Sequence, residues 1–262
     1  MARPKRSAKR AGMPAQDSIV SVTVLAPARR GPAALAPSRA GRTYRILRTN
    51  EVDPKDKPVP KTAVPAFGAP LAAAAPGDNF AGTSRKAAKL SIADAQTESF
   101  DDLRALIESL PAKKTMKDHK PRITTKANSD RVAEEKRNVR VTAFLYAASR
   151  EDDRDFHLII GRARNKTLHM YMTVEISGLP PKSRKSFARL NRARNAYKTF
   201  FGTDLPGTSY DFYDPPVPIE IRGSLFFDMS HATGRGPGPK SLRKDIPTVW
   251  EIHPVTEIKF EP

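Results

Sequence analysis

The chain has 262 residues, with 46 Lys+Arg against 28 Asp+Glu, a formal net charge of +18 and no cysteine. The lack of thiols excludes disulfide frameworks, thiolate nucleophiles and Cys-ligated zinc. The cation surplus points to a polyanionic partner, nucleic acid or an anionic membrane surface, with a simple solubilising excess as the alternative.

Residues 1–50 hold eleven Lys/Arg and one acid, Asp17. Such a run reads as a basic, mostly disordered tail able to add non-specific electrostatic affinity. Two strand-like runs interrupt it, SIVSVTVLA (18–26) and RTYRILR (Arg42–Arg48). They predict a hairpin or an addition to a folded domain. Residues 19–26 sit at the lower length limit of a signal-peptide core and alternate like a strand. No stretch reaches the ~18 apolar residues of a membrane span. A cytoplasmic location is expected, with export as the alternative.

Residues 51–82 are dense in Pro and Ala, which blocks helix and central strand alike and predicts a semi-extended linker. Residues 83–136 predict short helices and polar linker. TSRKAAKLSIADA (83–95) reads as one helix and SFDDLRALIESLPAKK (99–114) as another. In the second, Ser99 is the expected N-cap ahead of Asp101 and Asp102. Leu103, Leu106, Ile107 and Leu110 form an i, i+3, i+4, i+7 stripe, and Pro111 ends it. His119 stands among lysines, with no flanking residue that would make it a ligand.

From 137 onward the pattern predicts five strands and one helix: strands over 138–149, 155–163, 167–177, 217–229 and 248–260, and a helix over 183–202. Val139, Val141, Ala143 and Leu145 share one face of the first strand. The helix carries an apolar stripe, Phe187, Leu190, Ala193/Arg194, Tyr197 and Phe201, and Gly202 stops it. Gly223 inside the fourth strand predicts a bulge. The fold class expected is mainly β. An OB-like five-stranded Greek-key barrel over 137–262, with one helix between strands three and four, follows an irregular basic and Pro/Ala-rich N-terminal half with short helices. A sandwich, or an open sheet with a covering helix, is the alternative.

Three acid–histidine pairs stand out. Residues i and i+2 of a strand share a face, so Asp155 pairs with His157 and Glu251 with His253. Asp228 and His231 leave the fourth strand together, and Glu175 lies near the end of the third. Brought together, these side chains suit Zn, Mn or Fe and could activate water against a phosphodiester. A structural polar network is the alternative, because such pairs satisfy one another and no spacing matches H-E-x-x-H. No cofactor is expected beyond such a divalent metal. His169, between apolar residues, reads as a satisfied core histidine.

Cations suited to phosphate lie on the other helix face, Lys185, Arg189 and Arg192, and in the loop 231–244, at Arg235, Lys240, Arg243 and Lys244. Phe144, Tyr146, Phe156, Tyr171, Phe212 and Tyr213 are candidates to stack on bases, most of them expected in the core. The leading expectation is a binding module for single-stranded nucleic acid. The alternatives are a metal-dependent hydrolase of phosphodiesterase or nuclease type, and a structural adaptor with a protein partner.

The runs DFHLII (155–160), MTVEI (172–176), GSLFFDMSH (223–231) and WEIHPV (250–255) resemble an uncharacterised bacterial domain family. That family carries D-x-H-L, M-x-x-E, G-x-x-F-F-D-x-x-H and E-[LI]-H-P-V in this order. The resemblance covers 138–260. It implies an OB-like barrel and brings no reaction with it.

Overall fold

A computed structural model describes residues 18–24, 42–54, 77–164 and 168–260. Most of the expected tail and linker, 1–17, 25–41 and 55–76, lies outside the described residues. The protein is mainly β. Its strands are β1 (Ser18–Val24), β2 (Arg42–Arg48), β3 (Thr97–Phe100), β4 (Asn138–Arg150), β5 (Phe156–Gly161), β6 (Tyr171–Ile176), β7 (Asp211–Phe227) and β8 (Trp250–Phe260). They form one mixed sheet in the order β1-β2-β7-β8-β6-β5-β4-β3, and a further pairing of β4 with β7 closes five of them into a ring. Within the ring every pairing is antiparallel except β6 with β8.

The local reasons are visible strand by strand. In β4 the residues Val139, Val141, Ala143 and Leu145 are buried, while Arg140 and Thr142 between them are exposed. β5 and β6 are buried at every position, so both of their faces are covered. One face carries Phe156, Leu158, Ile160, Met172, Val174 and Ile176 into the main core. Each such side chain, removed from water, stabilises the fold by roughly 1.5–3 kcal/mol. β7 changes partners along its length, from β2 and β4 to β8, and its register with β8 shifts at Gly223. A Cβ at Gly223 would collide with the Pro254 carbonyl, so only glycine lets the two strands approach there.

Helix α4 (Phe187–Phe201) follows β6 and buries Leu190, Ala193, Arg194, Tyr197 and Phe201. Arg194 lies over the Phe156 ring and reaches Asp78 at 2.9 Å. Phe200 stacks on Phe260, ring centroids 3.8 Å apart. Among the described residues no helix is long and apolar enough to cross a membrane.

The two strand-like runs expected within the basic stretch form a hairpin that adds to the ring: β1 pairs with β2, and β2 joins β7. Tyr44 and Ile46 alternate into the core, as the strand-like pattern of this run suggests. Other expectations change. The helix expected over 83–95 is one turn, α1 (Lys86–Lys89). Ser99 belongs to β3, which pairs parallel with β4. The next helix, α2 (Leu103–Glu108), is capped instead by Asp102, which accepts from the Arg104 amide. A short α3 (Lys113–Lys117) buries Met116. His169 lies before β6, with a half-exposed side chain 3.6 Å from Asp245. It is therefore no core histidine: the strand starts later than alternation suggests.

Candidate metal centre

The pleat of three adjacent strands builds the site. Phe156, Leu158, Val174, Ile176, Trp250 and Ile252 enter the main core, so the residues between them point to the opposite face. Those are His157, Thr173, Glu175, Glu251 and His253. Register sets them side by side: His157 is opposite Glu175, and Thr173 opposite Glu251. The turn after β4 adds Glu151 and Asp155. The start of α5 (Met229–Thr233) adds Asp228 and His231. The segment after β2 adds Asp53. All nine ionisable residues are buried, none more than 7% exposed. They form three groups, Asp53–Glu151–His157, Asp155–Glu175–His253 and Asp228–His231–Glu251. In each, one possible ligand atom per residue lies within 4.8 Å of the others.

The groups differ in how their imidazoles are held. His157 Nδ1 is 2.5 Å from Glu151 Oε1 and 3.9 Å from Asp53 Oδ2. Burial works against a charged ring here, but the charge and hydrogen bond of Glu151, with Asp53 and Glu175, outweigh it and push His157 up to about 9. That shift and the short contact favour an imidazolium paired with Glu151. Asp53 Oδ2 also accepts from the Gly238 amide at 2.8 Å and the Tyr210 hydroxyl at 3.3 Å.

His253 is held differently. Its Nε2 lies 3.3 Å from Asp155 Oδ2, and its Nδ1 lies 2.8 Å from Glu175 Oε2 and 3.8 Å from Glu251 Oε2. The Nδ1–Glu175 contact is at hydrogen-bond distance but lies off the bonding direction. Both ring nitrogens, and Asp155 Oδ2, are buried with no hydrogen bond. Burial lowers the His253 pKa, against the pull of Glu175, which favours the neutral ring that a metal requires. Burial, with the charge of Asp153, raises Asp155 well above the usual carboxylate range. Lys89 Nζ stands 2.8 Å from Asp153 and 3.6 Å from both Asp155 and Glu175.

In the third group Asp228 Oδ1 caps α5 by accepting from the amides of Ser230 and His231. His231 Nδ1 meets the Arg235 carbonyl at 2.9 Å, so in the neutral ring Nδ1 carries the proton and Nε2 offers its lone pair. That Nε2 faces Asp53 Oδ1 at 3.4 Å and Asp228 Oδ2 at 3.7 Å. Two ligands bound at 2.0–2.2 Å to one tetrahedral zinc stand about 3.4 Å apart. The spacings around His231 and the His253–Asp155 spacing fit that separation, while Glu175 stands closer to His253, at 2.8 Å. A cleft of about 280 Å³ reaches the groups, with Glu151, Asp228, Lys89, Asp153, Thr83 and Ser84 on its walls.

The structure brings Asp155, His157, Asp228, His231, Glu251 and His253 together. None of the expected phosphate-binding cations belongs to the three groups or lines the cleft, although the Arg235 carbonyl meets His231 Nδ1. Lys185, just before α4, and Arg189 and Arg192 on its outer face are exposed. The first two line a separate groove of about 710 Å³ with residues 90–94. Arg235, Lys240 and Lys244 are exposed on the 231–244 loop, while Arg243 is half-buried and bonds the Gly238 carbonyl at 2.6 Å. Arg243 is thus a loop brace. Of the expected stacking rings, Tyr146, Phe156, Tyr171 and Tyr213 are buried, and Phe144 and Phe212 pack on the smaller core cluster.

Sequence reasoning missed Asp53, Glu151 and Lys89. Asp53 stands in the Pro-rich stretch and Lys89 in a basic one, with no periodicity to single them out. Glu151 opens the EDDR turn, where acids look solvated; its signal was closeness to the Asp155–His157 pair. Neither protein-family models, curated proteins nor solved structures give a match to this chain.

Proposed function

We propose that the protein is a metal-dependent hydrolase of the phosphodiester-cleaving type, built on an OB-like ring. The ring supports the fold reading. Its neighbours run β4-β5-β6-β8-β7 and back to β4, its one parallel pair is third strand with fifth, and its helix lies between third and fourth. In OB folds the face of strands two and three, flanked by the first and last inter-strand loops, takes the ligand. The buried histidines and acids occupy the equivalent place here.

The observation that carries the reading is His253, an imidazole buried among carboxylates with no hydrogen bond at either nitrogen. Buried polar atoms are rarely left so, and a divalent ion is what this donor set suits. A bound ion would supply a water with a pKa near ~7 and polarise a phosphoryl oxygen. The chain's own residues do the rest. Asp155, Glu175 and His253 would hold the ion, and Arg131 fixes His253 by bonding its carbonyl at 2.7 Å. Lys89, on the cleft wall, is ion-paired with Asp153 and lies 3.6 Å from Asp155 and Glu175, so its charge offsets theirs.

The test is elemental analysis of the full chain after dialysis without chelator. It is paired with hydrolysis of bis(p-nitrophenyl) phosphate and single-stranded oligonucleotides in Mn²⁺, Zn²⁺ or Mg²⁺. Stoichiometric metal and hydrolysis that is lost on chelation are expected. A folded chain that binds none of these ions would sink the proposal.

A second reading, a single-stranded nucleic-acid binding module, is favoured by the exposed cations Lys185 and Arg189 along the 710 Å³ groove. It predicts salt-dependent binding that weakens on Lys185→Glu and Arg189→Glu without loss of metal.

A further inference from the structure

We propose that the centre holds two divalent ions and that Glu251 is shared between them. This rests on the metal reading above and adds the number of ions and their common ligand.

His253 and His231 each have their own carboxylates. Asp155 and Glu175 surround His253 at 3.3 and 2.8 Å. Asp53 and Asp228 face His231 Nε2 at 3.4 and 3.7 Å. Glu251 belongs to both sets. One of its oxygens groups with Asp228 and His231, and its Oε2 lies 3.8 Å from His253 Nδ1. Strand geometry explains this. Glu251 precedes His253 by two on β8, so both rise from one face, and Thr173, its partner on β6, is too short to screen it.

Two further observations point to ions rather than to an acidic cluster alone. His253 is fully buried and lacks hydrogen bonds at both nitrogens. His231 has its Nδ1 bound to a carbonyl, which turns its ligand nitrogen toward two carboxylates.

The third group does not form an equivalent site. Its His157 Nδ1 and Glu151 close to 2.5 Å, a hydrogen bond and not the wider spacing of two ligands around one ion. Two ions sharing a carboxylate suit phosphodiester cleavage in particular. Centres with ions ~3.5–4 Å apart stabilise both the attacking and the leaving oxygen of an in-line displacement.

The deciding experiment uses the full chain, stripped with chelator and titrated with Mn²⁺, read by native mass spectrometry and electron paramagnetic resonance. Two ions per chain and an exchange-coupled spectrum are expected. His253→Ala and His231→Ala should each retain one ion with an uncoupled spectrum, His157→Ala should retain two, and Glu251→Ala should lose the coupling. One ion per wild-type chain, or two without coupling, overturns the shared centre and leaves the metal reading standing. No ion at all overturns both. The wild-type result decides by itself if a buried-histidine variant fails to fold.

Discussion

Two buried charged networks lie next to each other, and they are built on opposite terms. In the first, Glu135 accepts from Arg85 at 2.6 and 2.7 Å and from the amides of Phe227 and Val132, so both carboxylate oxygens are met twice. Arg131 bonds the carbonyls of Leu225, Ala88, Ser91 and His253. In the second, the His253 ring faces three carboxylates without one well-directed hydrogen bond. Burial of charge is common to both and so decides nothing. The fate of each donor and acceptor separates a brace from a binding site.

The comparison breaks first at Glu135. Glu135→Ala leaves Arg85 buried and uncompensated and should cost about 3–5 kcal/mol in denaturant unfolding. His253→Leu in the metal-free protein should cost clearly less than Glu135→Ala, because the ring it removes makes no well-directed hydrogen bond. A loss at His253 as large as that at Glu135 would make the second network a brace too.

Metal sharpens the contrast from the other side. Mn²⁺ at a hundred times its dissociation constant should raise wild-type stability by ~2.7 kcal/mol per ion. The gain should shrink in His253→Ala and persist in Glu135→Gln, as thermal unfolding with and without chelator would report.

The pH response follows from His157. Its folded-state pKa of about 9 stands above the ordinary 6.5, so its contribution is complete below pH 6.5 and is lost as pH rises through 9. Stability measured by urea should fall by roughly 3 kcal/mol between pH 6 and pH 9.5, and Glu151→Gln should flatten the fall. Outside both networks, Asp102→Ala removes the α2 cap, worth ~1 kcal/mol, together with its ion pair to Arg162, and should leave metal binding unchanged.

The strands of the ring were legible because alternation survives wherever one face meets the core, as Val139 to Leu145 show. Gly223 marked its bulge for the same reason that a Cβ cannot fit there. β3 was not legible: TESF is polar, pairs with β4 alone and carries no apolar period. The three acid–histidine pairs were readable from their spacing within single strands and turns. Asp53 and Lys89 were not, because only tertiary packing brings them near His157 and Asp155.

That packing also carries a consequence for the unfolded chain. The Gly238 amide holds Asp53 across 185 residues, and the same carboxylate faces His231. An ion taken by Asp53 and His231 would act as a reversible cross-link around almost the whole described ring. Clips that close long loops remove the most freedom from the denatured ensemble, although the increment grows only with the logarithm of loop length. Losing the ion would then loosen the attachment of the β1–β2 hairpin before it disturbed the ring.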